Sequence, residues 1–575
     1  MAFCLDHGTG WLGPLVIPGR TANYQDLVDR RRCLADDPEL WPAQTAPPIW
    51  PDPYLPPRSE LSWMLGALLT ELTRWLAGGP CRLLSTETEA DPIALTLTDH
   101  PILPLPHRFP NSLLASWPRT PQSLIDPRTG IVSRVHATVR NATTPERATI
   151  LEARVTDMAR MESQPWHNFP HVFCTRFDAP QEAAEAALGE AVERYCANWT
   201  GTLPMLRASY DELVAGGEHA VDPSTLVLFS ERQYRQPGFP FEPFTRDLSV
   251  QWVKGRSLTR DRDAWLPASL TYMNWHVGVF AGEPIVNFLN FAGVQAGPTL
   301  EFALVSAIEE VVERDAMMTW WANHHALPAL RLPKKLTELW HGQPTDLGQR
   351  AWAIHLDNQF DIPVVAGVLE NTSQGFLTIG FAARTDAHTA TQKAWAEAIG
   401  FQQGLRDMNR PDDECIVREV LASRDELLQP YREDRRYLDG VGDAFHAVTS
   451  PTRQMQVQLD PRARRMVAPW VDVDATRDIE ELPRLPDRTL VTYRDRVERH
   501  GFEIFYVELT SPDVAACGLH VARVLIPGLA PNFPAAFPPW GRQRVQHHAA
   551  QLGWTTTPAD EEPSTTFRRY CRFRG

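Results

Sequence analysis

Apolar positions recur at helical spacing in four stretches of the chain. In "SELSWMLGALLTELTRWLA" (59–77) they follow the three- and four-residue steps of an amphipathic helix, with Ser59 as N-cap and Gly78-Gly79 as the stop. Alanine-rich segments at 180–198, 299–321 and 386–406 predict three further helices. Between them, β-branched and aromatic runs predict strands: "TLVLFS" (225–230), "PIVNFLNFAG" (284–293), "DIPVVAGVLE" (361–370), "FEIFYVELT" (502–510) and "LHVARVLIP" (519–527). Strands and helices mix without the regular βαβ rhythm of a doubly wound sheet, so the pattern predicts an α+β core.

Proline interrupts this pattern. The chain has 50 prolines, clustered in "PAQTAPPIWPDPYLPP" (42–57), "HPILPLPHRFP" (100–110) and "PGLAPNFPAAFPPW" (527–540). Such runs exclude helix interiors and predict extended connectors, or extended segments lying on a surface. The stretch 408–500, rich in Arg, Asp and Pro, reads as surface excursions and connectors.

With 575 residues the chain is long enough for two to four domains. Its 43% hydrophobic and 22% charged residues are the balance of an ordinary soluble globular protein. A formal charge of −15 argues against duplex binding, which needs a positive face, so no nucleic-acid partner is expected. The eight cysteines are scattered with no Cys-x-x-Cys pair, which disfavours a disulfide framework and a four-thiolate zinc site. Neither a signal peptide nor a membrane-length apolar segment is present, and the expectation is a reduced, cytoplasmic protein without a membrane partner.

Chemistry enters with a repeated pattern. "AALGEAVERYCANW" (186–199) carries Glu190, Glu193 and Arg194; "SAIEEVVERDAMMTW" (306–320) carries Glu310, Glu313 and Arg314 at the same spacing. On a helix, residues three apart share one face, so each glutamate pair points the same way. The surroundings are apolar: Ala186, Ala187, Leu188, Ala191 and Val192 in the first helix, Val305, Ala307, Ile308, Val311 and Val312 in the second. A mostly apolar helix is mostly buried, and buried carboxylates need cations or protons. A single Glu–Arg pair four residues apart is commonly just a solvated surface pair worth about 0.3–0.5 kcal/mol. Two occurrences in the same apolar context shift the weight, and Glu397 with Lys393 adds a third in "TATQKAWAEAIGFQQ". If the three helices converge, five carboxylates and three cations line one cavity. Carboxylates suit Mg²⁺, and Arg or Lys suits phosphate oxygens. A P-loop, a kinase glycine loop and a Gly-x-Ser-x-Gly elbow are all missing.

These residues resemble the YcaO family in its azoline-forming cyclodehydratase branch. "AALGEAVERY", "FAGVQAGPTLEFALVSAIEEVVERDA" and "ATQKAWAEA" look like its three helix motifs, in order, and "VARVLIPGL" like its closing strand; the likeness runs from about 120 to 545. The resemblance implies a YcaO-type core with mixed sheets and an ATP site between helices. It implies ATP and Mg²⁺ as cofactors, with Glu190, Glu193, Glu310, Glu313 and Glu397 holding the metal and Arg194, Arg314 and Lys393 facing the phosphates. Arg176, in "CTRFDAP", stands where the family usually has a lysine. The implied activity converts Cys, Ser or Thr of a ribosomally made precursor peptide to thiazoline or oxazoline. In it a side chain attacks the preceding carbonyl and the resulting oxyanion takes a phosphoryl group from ATP. A non-catalytic docking scaffold, and an enzyme forming thioamide or amidine, are the alternatives.

Upstream, "GWLGPLVIPGRTANYQDLVDRRR" resembles the end of the family's ThiF-like companion, with Asn23 and Asp26 where that protein has zinc cysteines, so no zinc is expected. Residues 1–120 are then a docking remnant and 121–575 the YcaO domain. The implied partners are the precursor peptide, a leader-peptide-binding ThiF-like protein, a flavin-dependent azoline dehydrogenase and a second copy in a homodimer. Two departures stand near the nucleotide site: Phe291-Ala292-Gly293 where the family writes Ser-Asn-Gly, and Phe302 at a usually acidic position. The remaining candidates read as structural: Trp320-Trp321 and His324-His325 as a packed helix end, Cys196 as a small core residue, and His547-His548 and the tail "FRRYCRFRG" as surface.

Overall fold

The computed structural model describes residues 2–6, 8–34, 56–109, 119–139, 141–158, 171–289, 291–340, 347–411 and 428–554. The C-terminal tail and most of the 42–57 proline cluster lie outside the described residues. The chain is α+β, and its described residues form four sheets. An N-terminal antiparallel sheet orders β1 (Phe3–Asp6), β2 (Thr9–Leu12), β3 (Thr86–Asp91) and β4 (Thr96–Pro101) in sequence. Helices α1 (Tyr24–Leu34) and α2 (Arg58–Leu76) fall between its second and third strands. A three-stranded antiparallel sheet follows, β5 (Val132–Ala137), β6 (Ala148–Val155) and β7 (His171–Phe177), leading into α3 (Pro180–Cys196).

Two larger sheets complete the body. One holds β8 (Met205–Ala208), β9 (Val250–Ser257), β10 (Arg262–Pro267), β11 (Val294–Gly297), β17 (Phe505–Glu508) and β18 (His520–Leu525), with β11 on one edge beside β18. The other runs β15-β14-β13-β12-β16 through β12 (Ala329–Arg331), β13 (Gln349–Leu356), β14 (Val364–Asn371), β15 (Phe376–Ala383) and β16 (Ala475–Asp478). Between them lies α4 (Leu300–Asn323), which Thr299 caps by accepting from the Phe302 amide at 3.2 Å. Its Leu304, Ile308, Val312 and Trp320 share one buried cluster with Val364 and Val368 of β14 and Val524 of β18. A helix apolar on this many positions is stable only with sheets on both sides.

The third motif helix, α5 (Ala387–Met408), begins where Asp386 accepts from the Thr389 amide at 2.9 Å. It crosses β14 and β15 over Gly367 and Gly380, which face each other across the ladder. A Cβ on Gly380 would stand 2.1 Å from the Ala394 carbonyl oxygen and 2.8 Å from the Glu397 Cβ. The two glycines therefore set how closely Lys393 and Glu397 approach the sheet.

Several expectations change. Residues 225–230 form no strand: a 3₁₀ turn at Pro223–Thr225 leads into unpaired chain, and Ser230 caps the short helix Glu231–Tyr234. Residues 284–289 and 291–293 are irregular chain ahead of β11, and Gly293 adopts a left-handed φ of +87° where the expected run would have continued. Helix α2 starts after Pro57, with no side-chain cap from Ser59. The 408–500 stretch contains helices as well as connectors: the short Pro451–Val457, α6 (Pro461–Val471) and α7 (Leu490–Glu498). Val467, Trp470, Tyr493 and Val497 from the last two are buried in the same core as α4.

The 100–109 segment is interior, with Ile102, Leu103 and Leu105 fully buried, and it is extended only as far as Leu105, where a 3₁₀ turn at Pro106–Arg108 begins. On α8 (Arg544–Gln551), His547 is exposed and His548 is fully buried against Asp315, at 3.5 Å from its carboxylate. Burial pushes the His548 imidazole down to about 4, although Asp315 opposes the shift. The flat polar sequence around His548 hid a contact made by a distant aspartate.

A buried ionic knot fastens the N-terminal region to the body. Arg30 of α1 donates to the Leu103 and Pro104 carbonyls and forms an ion pair with Asp513 at 2.6 Å. Tyr195 of α3, one residue beyond Arg194, donates to the same carboxylate at 2.7 Å. Breaking such a pair leaves an uncompensated buried charge. Arg30→Ala is expected to cost about 3–5 kcal/mol in chemical denaturation. Arg235→Ala, which removes an exposed pair with Glu231, should cost under about 1 kcal/mol. Equal effects of the two substitutions would contradict the knot's role.

Candidate nucleotide and metal site

Where α3, α4 and α5 meet, their motif faces line one cavity of about 3490 Å³. It is walled by Glu190, Glu193 and Arg194 from α3, Glu310, Glu313 and Arg314 from α4, Lys393 and Glu397 from α5, and Arg176 from β7. Every residue singled out for the site in the sequence therefore reaches the same chamber. Typical small-molecule pockets are about 300–1,000 Å³, so this one has room for a nucleotide together with a peptide.

Each central carboxylate is positioned by a backbone amide. Glu193 accepts from the Ala296 amide at 2.8 Å and Glu310 from the Gly293 amide at 2.8 Å, so α3 and α4 bracket the same short strand β11. Glu313 accepts from the Ala383 amide at 3.1 Å, at the end of β15. The loop before β11 is itself fixed: Arg523, fully buried, donates to the Ala292 and Thr271 carbonyls, and Val524 donates to the Gly293 carbonyl at 2.7 Å. A Cβ on Gly293 would lie 2.7 Å from the Val524 carbonyl oxygen. The glycine is thus required both for its backbone angle and for close approach. Burial pushes Arg523 down to about 9, with Glu310 opposing.

The cations are already engaged. Arg194 donates to Glu190 at 2.7 Å, and Lys393 pairs with Glu397 at 3.2 Å. Arg314 reaches both Glu313 at 2.7 Å and Glu310 at 3.3 Å. On β7, Arg176 donates to the Thr175 carbonyl at 2.8 Å, and the Cys174 thiol faces Glu190 at 3.6 Å. Burial and the Glu190 charge hold that thiol protonated, well above its ordinary value. Desolvation and then the Glu190 and Glu310 charges raise Glu193 well above the usual carboxylate range. Desolvation, with Glu397 and Glu310, also raises Glu313 against the opposing pull of Arg314.

A second ionic group at this wall was missed in the sequence. Glu309, buried beside Glu310 in the chain, accepts from Arg384 at 2.9 Å, Arg488 at 2.9 Å and Tyr493 at 2.5 Å. Arg384 and Arg488 both line the cavity, and Arg488 lies over the Phe302 ring at 4.6 Å and donates to Ser306 at 2.7 Å. The doubled Glu309-Glu310 was visible, but Arg488 lay in the stretch read as connectors. Phe302 packs on Gly297 and Phe291 stands 41% exposed at the cavity rim, so the two departures become aromatic wall residues.

Among the described residues, no three His, Cys, Asp or Glu side chains stand close enough to form a ready metal cage. Mg²⁺ keeps several waters and binds through one or two carboxylates plus the phosphates of a nucleotide. The carboxylates and the arginines around them are the donor set that such a metal–polyphosphate requires. Asn23 and Asp26, by contrast, cap one another through reciprocal amide bonds of 2.9 Å, and Asp26 holds Arg108 at 3.0 Å.

Comparison with known proteins agrees with this architecture. A profile of the YcaO cyclodehydratase family, described as binding ATP and Mg²⁺, matches residues 178–530. The chain belongs to the YcaO family. Among solved structures, a heterocyclase in complex with substrate and cofactor is 21% identical, with a TM-score of 0.65 over 97% of this chain and 75% of that one. The heterocyclase TruD is also 21% identical, with a TM-score of 0.59 over 97% of this chain and 73% of that one. At these identities the likeness establishes the fold. YcaO from Methanopyrus kandleri bound with AMPPCP and Mg²⁺ aligns less closely, with 18% identity and a TM-score of 0.44 over 69% of this chain and 86% of that one. No curated protein matches the chain. No helix among the described residues is long and apolar enough to cross a membrane.

The raised Glu193 has a measurable consequence. Below the ordinary carboxylate value Glu193 is protonated in both folded and unfolded chains. As pH rises from there towards the raised folded value, only the unfolded chain releases its proton, and stability is lost. Glu193→Gln, which keeps an acceptor for the Ala296 amide, should therefore stabilise the metal-free protein increasingly from pH 5 to 8. The same substitution should reduce the rise in Tm that Mg²⁺ with a nucleotide confers. Thermal melts of both proteins across that range test it, and a stability difference that does not grow with pH would contradict it.

Proposed function

We infer that the protein is an ATP-dependent cyclodehydratase that converts Cys, Ser or Thr of a precursor peptide to thiazoline or oxazoline. The observation that carries this reading is the shared chamber to which α3, α4 and α5 each bring carboxylates and cations, with Glu193 and Glu313 raised by burial and by their carboxylate neighbours. When bound, ATP with Mg²⁺ supplies the phosphoryl group that turns an amide oxygen into a leaving group. In this chain, Glu190, Glu193, Glu310, Glu313 and Glu397 would hold the metal ions. Arg176, Arg194, Arg314 and Lys393 would bind phosphate oxygens, the last three exchanging their present carboxylate partners for them. Arg384 and Arg488, each with Glu309 as counter-charge, add cations at the Phe302 side of the cavity. Backbone anchoring of Glu193, Glu310 and Glu313 fixes these groups before the ligand arrives, which is what phosphoryl transfer mainly demands.

Residues 1–120 fit a docking role for a leader-peptide-binding partner. They carry their own small core around Leu12, Met64, Leu68 and Leu83, and they are fastened to α3 through the Arg30–Asp513–Tyr195 knot. That knot gives the docking region a rigid connection to the motif helix.

The test incubates the protein with its partner, ATP, Mg²⁺ and the precursor peptide, and follows peptide mass. The expected result is the loss of one water per ring, with phosphate released. Glu310→Gln should lower the rate by about 10²-fold or more while retaining the fold. Nucleotide turnover with a mass change other than water loss would assign thioamide or amidine formation instead. Undetectable nucleotide affinity would assign a docking scaffold.

A further inference from the structure

The proline-rich segment 527–540 joins the cavity wall rather than lying on the surface. Asn532, Phe533, Pro534, Ala535, Pro538 and Trp540 all face into the chamber. The segment is held rigidly. The Ala530 amide donates to Asp315, next to Arg314, at 2.8 Å; the Ala535 amide donates to Gln454 at 2.9 Å; and the Ala536 amide donates to the Val448 carbonyl at 3.0 Å. Arg544 grips Asp315 at 2.6 Å from the far side. Behind Phe533, an aromatic cluster stiffens the wall: Phe229 stands 5.9 Å from Phe533, and Phe537 stands 5.9 Å from Phe288.

Beside this segment, α4 carries the cavity face onward beyond the acidic site. Met317, Met318 and Trp321 line the chamber on the same side of the helix as Glu310, Glu313 and Arg314. Met318 and Trp540 belong to one buried cluster, which Met317 packs against. The chamber therefore changes character along a single helix, from charged at Glu313 to apolar at Trp321. With a rise of 1.5 Å per residue, Met317 lies about 6 Å and Trp321 about 12 Å further along the axis than Glu313. An extended peptide advances about 3.3 Å per residue, so these distances correspond to about two to four residues from the reacting one.

We propose that Phe288, Met317, Met318, Trp321, Phe533 and Trp540 form a specificity pocket for an apolar or aromatic side chain of the substrate peptide, two to four positions from the cyclised residue. This assignment rests on the cyclodehydratase reading, because continuity with the acidic site is what makes a peptide the occupant. Rigid aromatic walls favour such a side chain and leave a charged one desolvated without a partner.

The test measures binding, so that it does not depend on ring formation. Two synthetic nonapeptides with a central Cys in a glycine background carry either Phe or Asp at the second, third and fourth positions on both sides. Each is titrated calorimetrically into the full-length protein with AMPPCP and Mg²⁺ present. The Phe peptide is expected to bind about 10-fold more tightly or better. The preference should fall towards parity in Met317→Lys and, from a separate loop, in Phe288→Asp. Equal affinities for the native protein, undetectable binding of both peptides, or a preference unchanged in both folded variants would overturn the pocket. Failure of the ring-forming assay with this preference intact would count instead against the cyclodehydratase chemistry.

Discussion

Five carboxylates and the cations paired with them, brought from three helices to the wall of one chamber, are the constraint on which this structure depends. Burying like charges is unfavourable, and a folded protein tolerates the arrangement only if other interactions hold the groups in place. Here the holding is done by backbone. The amides of Gly293, Ala296 and Ala383 each anchor one glutamate, and those amides belong to strand ends placed by two different sheets. The sheets in turn are positioned by packing on both sides of α4. Positioning of the charge and formation of the core are therefore one problem, solved by the same helix.

This arrangement also explains why the charged residues look structural until they are considered together. Arg194, Arg314 and Lys393 each close an ordinary i,i+4 pair, of a kind that contributes little on a surface. In a shared cavity the same pairs become exchangeable: metal can take over the carboxylate oxygens, and the released cations can turn to phosphate. Glu193 and Glu313 are raised first by burial and then by the neighbouring carboxylates. Glu309, with Arg384, Arg488 and Tyr493 around it, is the contrasting case. Burial opposes its ionisation, but the two arginines and the tyrosine outweigh that and hold it below the usual carboxylate range.

Much of this was legible in the sequence because it was written on single helices. The Glu-x-x-Glu-Arg spacing and the apolar residues around it predict both the helices and their inward face, and α3, α4 and α5 end within about two residues of the expected limits. What stayed hidden depended on distant partners. His548 is interior because Asp315 and Arg544 build a buried site around it. Arg488 matters because α7 and its preceding turn pack onto α4. The prolines of 527–540 correctly exclude helix and those of 100–109 permit only the 3₁₀ turn Pro106–Arg108, but proline content does not say which side of an extended chain is wet. Leu103 is covered because Arg30 pulls its carbonyl inward, and Phe533 is covered because seven aromatic side chains, itself among them, assemble there.

The central claim is that metal-borne triphosphate is what the crowded carboxylates await, and its most direct test is nucleotide affinity with and without metal. Equilibrium dialysis of an ATP analogue would be run at fixed ionic strength, first with Mg²⁺ and then with the metal chelated. The account predicts saturable binding that requires Mg²⁺ and weakens in Glu190→Gln, Glu310→Gln and Glu397→Gln, one substitution from each helix. Binding that is as tight without metal, or that is indifferent to all three substitutions, would contradict it.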